Sequence, residues 1–133
     1  IPQDDAIKTV SDVRQALSPA QCRELADAAH GLGLEILLEI HREEELEYVS
    51  PEMDMVGINN RNLTTFETDI YTSFRLASQV PVACLKVAES GIRAMETVVA
   101  LRRLGFRGFL IGEHFMREAQ PAQALKNFVG YAD

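Results

Sequence analysis

No apolar run in this sequence approaches the roughly 20 residues that a membrane-spanning helix needs, and nothing near its start reads as a signal peptide; the expectation is a soluble, cytoplasmic protein. Cysteine is scarce. Cys22 and Cys84 stand apart, with neither a CxxC pair nor zinc-ligand spacing, and are expected to be reduced and packed. Basic residues are the minority, 13 Lys plus Arg against 20 Asp plus Glu, for a formal net charge of −7. Such a balance repels polyphosphate and anionic lipid, which argues against binding to nucleic acid or to a membrane surface. It leaves room for a small phosphate ester held by a few backbone N–H groups. Low-complexity segments, linkers and an internal boundary are absent as well, and 133 residues suit a single domain. With 47% apolar and 25% charged residues the chain has the composition of a globular protein with a real core, not of a disordered one.

What is present is a repeat of short apolar runs and helix-like stretches. The runs are Leu34–Ile40, Met53–Ile58, Val80–Val87 and Phe106–Ile111, each too short for a buried helix and each suited to a buried strand. Ser18-Pro19-Ala20-Gln21 combines a serine N-cap, proline at the first helical position and glutamine at the third, a capping box. Cys22, Leu25, Ala26 and Ala29 then share one face, and Gly31 offers a stop. Arg42-Glu43-Glu44-Glu45 reads as a solvated helix start. Ile70, Phe74 and Ala77 mark another helix, and Met95, Val98 and Val99 a further one that ends at Leu104-Gly105. A last helix from Pro121 is expected to bury Leu125, Phe128 and Val129. Strands separated by helices require right-handed parallel crossovers, so the class is α/β. In residues 1–17 the spacing of Ile7, Val10, Val13 and Leu17 suits a helix, while the position before the capped helix calls for a strand that Asp12, Arg14 and Gln15 suit poorly, and the segment is left unassigned. The repeats suggest a piece of a barrel or an open sheet; a (β/α)8 barrel usually takes ~250 residues, about twice this length.

Polar residues close the strands. Glu39, Asn59, Glu89 and Gly112 each follow an apolar run, and in a barrel such positions converge on one mouth. Alternation puts Glu39 with Leu37, Asn59 with Met55 and Gly57, and Glu89 with Leu85 and Val87 on the presumed inner face. Two carboxylates at one mouth suit acid–base chemistry, because burial and mutual repulsion tune them. Ser90-Gly91-Ile92 and Gly112-Glu113-His114 follow adjacent strands, where glycine lets backbone N–H groups approach an anion. Arg61, in Asn59-Asn60-Arg61-Asn62, offers a planar fork for a carboxylate or phosphate; the plainer alternative is a surface arginine among turn-forming asparagines. His30, His41 and His114 lack metal-ligand spacing and read as exposed or locally bonded.

These segments, LEILLEIH, VGINNRNLTTFETD, VAESGI and GFLIGEHFMR, resemble the last four strands of the indole-3-glycerol-phosphate synthase family, over about residues 18–129. The resemblance implies the C-terminal half of a (β/α)8 barrel, residues 1–133 forming one half-barrel. It also implies an enzyme of tryptophan biosynthesis, a carboxy-lyase that closes the indole ring of 1-(2-carboxyphenylamino)-1-deoxyribulose 5-phosphate with loss of carbon dioxide and water. By the same resemblance Glu39 and Glu89 are catalytic. Asn59, Arg61, Ser90, Gly91, Gly112 and Glu113 bind substrate, the glycines and the backbone at Glu113 cradling phosphate. Many relatives carry serine at the Glu113 position, so this carboxylate is expected to point away from the phosphate. No cofactor or metal is implied, and the partner is a small phosphorylated molecule.

The family's catalytic lysines and strand-one glutamate have no match in these residues; Lys8 and Lys86 are poorly placed to replace them. The lone chain is therefore expected to be inactive. It is also expected to form a homo-oligomer, or to pair with the missing first half-barrel, through an apolar inner face carried by Leu37, Met55, Val87 and Leu110. Two alternatives stand beside this reading: a non-catalytic, oligomerising half-barrel that at most binds phosphate, and a different phosphate-binding barrel enzyme.

Overall fold

The computed structural model describes residues 17–62 and 65–130, so the unassigned N-terminal segment, apart from Leu17, lies outside the described residues, as does Lys8. Helix α1 spans Pro19–Gly31 and begins as its sequence dictates. The Ser18 Oγ accepts the Gln21 N–H at 3.2 Å and the Gln21 Oε1 accepts the Ser18 N–H at 2.8 Å, so two otherwise orphaned donors are satisfied reciprocally. The left-handed residue after the helix is Gly33, at φ +79°, and not Gly31.

Four parallel strands follow in the order β1-β2-β3-β4: β1 Leu37–Ile40, β2 Met55–Asn59, β3 Leu85–Glu89 and β4 Phe106–Leu110. Helices α2 (Tyr71–Leu76) and α3 (Met95–Arg103) make the crossovers from β2 to β3 and from β3 to β4. A 3-10 helix, Glu43–Tyr48, links β1 to β2, and α4 (Glu113–Met116) and α5 (Pro121–Gly130) close the described chain. Helix α3 ends as expected, with Gly105 at φ +102°. The core lies between the sheet and its helices, where Ile40, Val56, Ile58, Leu101 and Phe106 are fully buried. Burying side chains of this size stabilises the fold by roughly 1.5–3 kcal/mol each.

Several expectations need correction. The first run is strand only from Leu37, and Leu34 is exposed. The Val80–Cys84 stretch is a turn in which the Cys84 N–H donates to the Pro81 carbonyl, and β3 starts at Leu85. Glu45 is not solvated: its Oε1 accepts the His41 N–H at 2.7 Å, tying the 3-10 turn to the end of β1. Leu25, Leu125 and Val129 are exposed, and so is Val99 in part. Leu25 sits on α1, which packs chiefly against the 3-10 helix, and the other pair on α5, which packs chiefly against α4, so neither helix is laid along the sheet as periodicity alone suggests. Helix α4 was not foreseen; at 4 residues it is too short to leave a periodic signal.

Strand register positions the site. Between β3 and β4 the pairing shifts, Lys86 facing Phe106 and Val87 facing Gly108, so Arg107 is an extra residue. That bulge turns both Phe106 and Phe109 to the helix side and returns Gly108 and Leu110 to the opposite face.

Candidate active site

The parallel ladder aligns Glu39, Gly57, Val87 and Gly108 in one row, and Asn59, Glu89 and Leu110 in the next. Members of a row point to the same side. Leu38, Ile40, Val56, Ile58 and Ala88 take the helix side and are buried. Glu39, Asn59 and Glu89 therefore share the other face at the carboxyl ends of three adjacent strands, as alternation predicts. Of the four apolar positions expected on that face, Leu110 is 51% exposed and Leu37 and Met55 are half-buried. Val87, by contrast, is buried, its Cγ2 packed against Gly108.

Hydrogen bonds fix the first two polar side chains. The Asn59 Nδ2 donates to the Glu39 Oε1 at 2.6 Å, and the Asn59 Oδ1 accepts the Arg61 backbone N–H at 3.0 Å. The Asn59 amide is thus oriented by its own turn, with its donor end on the carboxylate. His41 lies just past β1, its Nε2 3.9 Å from Glu39 and its Nδ1 3.6 Å from Glu45, within ion-pair distance of both carboxylates. His30 is bonded to Asp54 at 2.8 Å, which holds the Asp54 carboxyl below its usual value.

Glu89 has a different environment. It is 9% exposed, and its Oε2 is buried without a hydrogen-bond partner. Burial first, and the Glu39 charge second, raise its pKa to about 7. A carboxyl that titrates near neutral pH can hold or release a proton during a reaction.

Beyond β3 the chain turns sharply, Ser90 at φ +71° and Gly91 at φ +75°. A non-glycine residue in this region costs on the order of 1 kcal/mol and needs support from its surroundings. The support is Asn60, 3% exposed. Its Nδ2 donates to the Ser90 carbonyl at 3.0 Å, and its Oδ1 accepts both the Ser73 N–H at 3.1 Å and the Ser73 Oγ–H at 2.8 Å. Its backbone N–H also donates to the Glu89 carbonyl at 2.8 Å. One asparagine thus joins the end of β2, the start of α2 and the loop after β3.

A cavity of about 750 Å³ opens at this end of the sheet, lined by Arg61, Glu89, Ser90, Gly91, Gly112 and Glu113, with Arg117 beside them. These are six of the eight residues expected from the sequence, and Glu39 and Asn59 join them through the sheet face. Glu113 does not simply turn away. Its carboxylate lines the cavity and bridges the guanidinium groups of Arg61 and Arg117, so Arg61 already holds an anion from its own chain. Lys86 donates from Nζ to the Ala77 carbonyl at 3.0 Å on the helix side, away from the mouth. No group of metal-ligating side chains occurs among the described residues, and no helix there is long and apolar enough to cross a membrane.

Three contributors were missed in the sequence: Gly57, Asn60 and Arg117. A glycine inside a strand signals a close approach by another group, so Gly57 carried a legible sign. The roles of Asn60 and Arg117 depend on distant partners.

Parallel strands joined by helices, with polar residues gathered at their carboxyl ends, define a (β/α) unit of the partial-barrel class. The family profile described as indole-3-glycerol phosphate synthase matches residues 7–128, and the chain belongs to that family. It is 56% identical over 117 residues to the indole-3-glycerol phosphate synthase of Bacteroides thetaiotaomicron, covering 88% of this chain and 45% of the relative. The synthase of Salinibacter ruber is 46% identical, over 85% of this chain and 42% of its own, and that of Magnetococcus marinus 42% identical, over 95% and 46%. The chain thus spans a little under half the length of the curated relatives it matches.

Proposed function

We propose that these residues supply the carboxyl-terminal half of an indole-3-glycerol-phosphate synthase active site. The complete enzyme would close the indole ring of 1-(2-carboxyphenylamino)-1-deoxyribulose 5-phosphate and release carbon dioxide and water, a step of tryptophan biosynthesis. The observation that carries this reading is the trio on one sheet face: Glu39 held by Asn59, with Glu89 buried beside them and titrating near 7.

In this proposal Glu39 transfers protons during dehydration, while Glu89 and Asn59 hold the substrate amine and sugar hydroxyls. The Gly91 and Gly112 loops, with the backbone at Glu113, receive the phosphate; Gly112 has open space where a side chain would stand. Arg61 takes the substrate carboxylate, which must replace Glu113 on the guanidinium. A lysine from the first half of the barrel acts as general acid on the carbonyl. That half covers the inner sheet face and the edges of β1 and β4, the outermost strands among the described residues.

The test is Glu39→Gln in the complete enzyme, which keeps shape and removes the titrating group. Turnover should fall roughly 10²-fold or more, the usual range for losing a general acid–base, with little change in substrate affinity. Near-normal turnover would remove Glu39 from the chemistry.

A further inference from the structure

A Cβ on Gly57 would overlap the Glu89 Oε2 and stand only 3.0 Å from its Cδ, an unusually tight approach. Its next neighbour, the Leu37 Cδ1, lies at 3.4 Å, an ordinary contact. The space left by the missing side chain is therefore filled by one group, the end of the Glu89 side chain. We infer that Gly57 is a positioning residue for Glu89: its bare Cα is the slot in which the carboxyl lies against the sheet.

The geometry explains how a carboxyl at the rim of an open cavity stays buried. Gly57 pairs with Val87 in the ladder, one row below Glu89, so the glutamate folds back along the sheet face instead of reaching into the cavity. There its Oε2 has no hydrogen-bond partner and little contact with water. Backbone conformation does not require glycine at this position, since Gly57 is not among the residues with positive φ. The requirement is space. An alanine would meet the far end of a flexible side chain, and Glu89 can swing into the 750 Å³ cavity that it already lines. The substitution should thus move a carboxyl without breaking the sheet.

Glu39 on β1 acts on Glu89 through its charge, and the other charged or titratable groups around the shared cavity are Arg61 after β2, Arg93 after its own strand, and Glu113, His114, Arg117 and Glu118 around α4. Movement toward the cavity brings the carboxyl nearer to water and to these arginines, and both favour its ionised form. Loss of the slot should therefore lower the pH at which Glu89 titrates.

The effect on turnover rests on the synthase reading above; the titration and folding measurements do not. In the full-length enzyme labelled with [13C]glutamate at the side-chain carboxyl, Gly57→Ala should lower the Glu89 titration midpoint by at least one pH unit. Turnover should fall about 10-fold or more, since small misplacements of a reacting group are costly. Combined with Glu89→Gln, Gly57→Ala should cause little further loss, because both changes act through one carboxyl. Should Gly57→Ala fold poorly, Glu89→Ala in the same chain should restore folding by clearing the slot. An unchanged Glu89 midpoint, independent multiplication of the two activity losses, or a folding defect that Glu89→Ala fails to relieve would each overturn the inference.

Discussion

Glu89→Gln should stabilise the folded protein at pH 8 and leave it nearly unchanged at pH 4.5. The native carboxyl titrates at about 7, against 4.5 for the unperturbed group. At pH 4.5 the native carboxyl is protonated and the unfolded one about half so, a difference of only about 0.4 kcal/mol, and the burial of a neutral group is common to both variants. Between these values the folded protein holds a proton that the unfolded chain releases, so native stability declines as pH rises. Above about 7 the carboxylate is ionised in both states, and the fold carries the full cost of desolvating it beside Glu39. At ~1.4 kcal/mol per unit, that cost is about 3 kcal/mol at most, and nearer 1 if cavity water relaxes around the charge. Glutamine preserves the shape without the charge. Other perturbed groups, such as Asp54, lie elsewhere and cancel in the difference between variants. The assay is urea unfolding of both proteins at pH 4.5, 6 and 8. The advantage of Glu89→Gln should grow with pH by about 1–3 kcal/mol; a difference of constant size, or a mutant less stable at pH 8, would refute the reasoning.

Asn60→Ala should lower stability by about 1–3 kcal/mol, because it removes the acceptor of the buried Ser73 hydroxyl and the side-chain donor to the Ser90 carbonyl; thermal unfolding would measure it, and a loss under 1 kcal/mol would show that the loop after β3 is held by other contacts. Inorganic phosphate should shift the amide resonances of Gly91 and Gly112 in a saturable titration, since both glycines line the cavity, and unmoved resonances would place the anion elsewhere. Glu113→Gln should strengthen that phosphate binding several-fold by freeing Arg61 and Arg117, with weaker binding as the contrary result.

Local chemistry was the most legible part of the sequence. The capping box at Ser18 and Gln21 could be read because its partners are three residues apart. Glu39, Asn59 and Glu89 could be placed on one face because strand alternation is regular and parallel registers align their ends. Contacts across long sequence separations were not legible. Arg61 and Glu113 are 52 residues apart and Asn60 and Ser90 are 30 apart, so neither pairing leaves a local pattern. The Arg107 bulge was equally silent, although it decides which face Leu110 takes. Exposure of Leu25, Leu125 and Val129 was missed because periodicity shows that a helix has an apolar face without showing what lies beneath it.

In the proposed function this chain carries one half of a divided active site. The most direct measurement is the rate of indole-3-glycerol phosphate formation by the chain alone, then after addition of the separately produced first half of the barrel, with sedimentation equilibrium run on each sample. Alone, the chain should self-associate through the open sheet face and the edges of β1 and β4, and show no turnover. Adding the first half should replace that association with a one-to-one complex whose turnover is lost on Glu39→Gln. Turnover by the lone chain, or an inactive complex between two well-folded halves, would contradict the account.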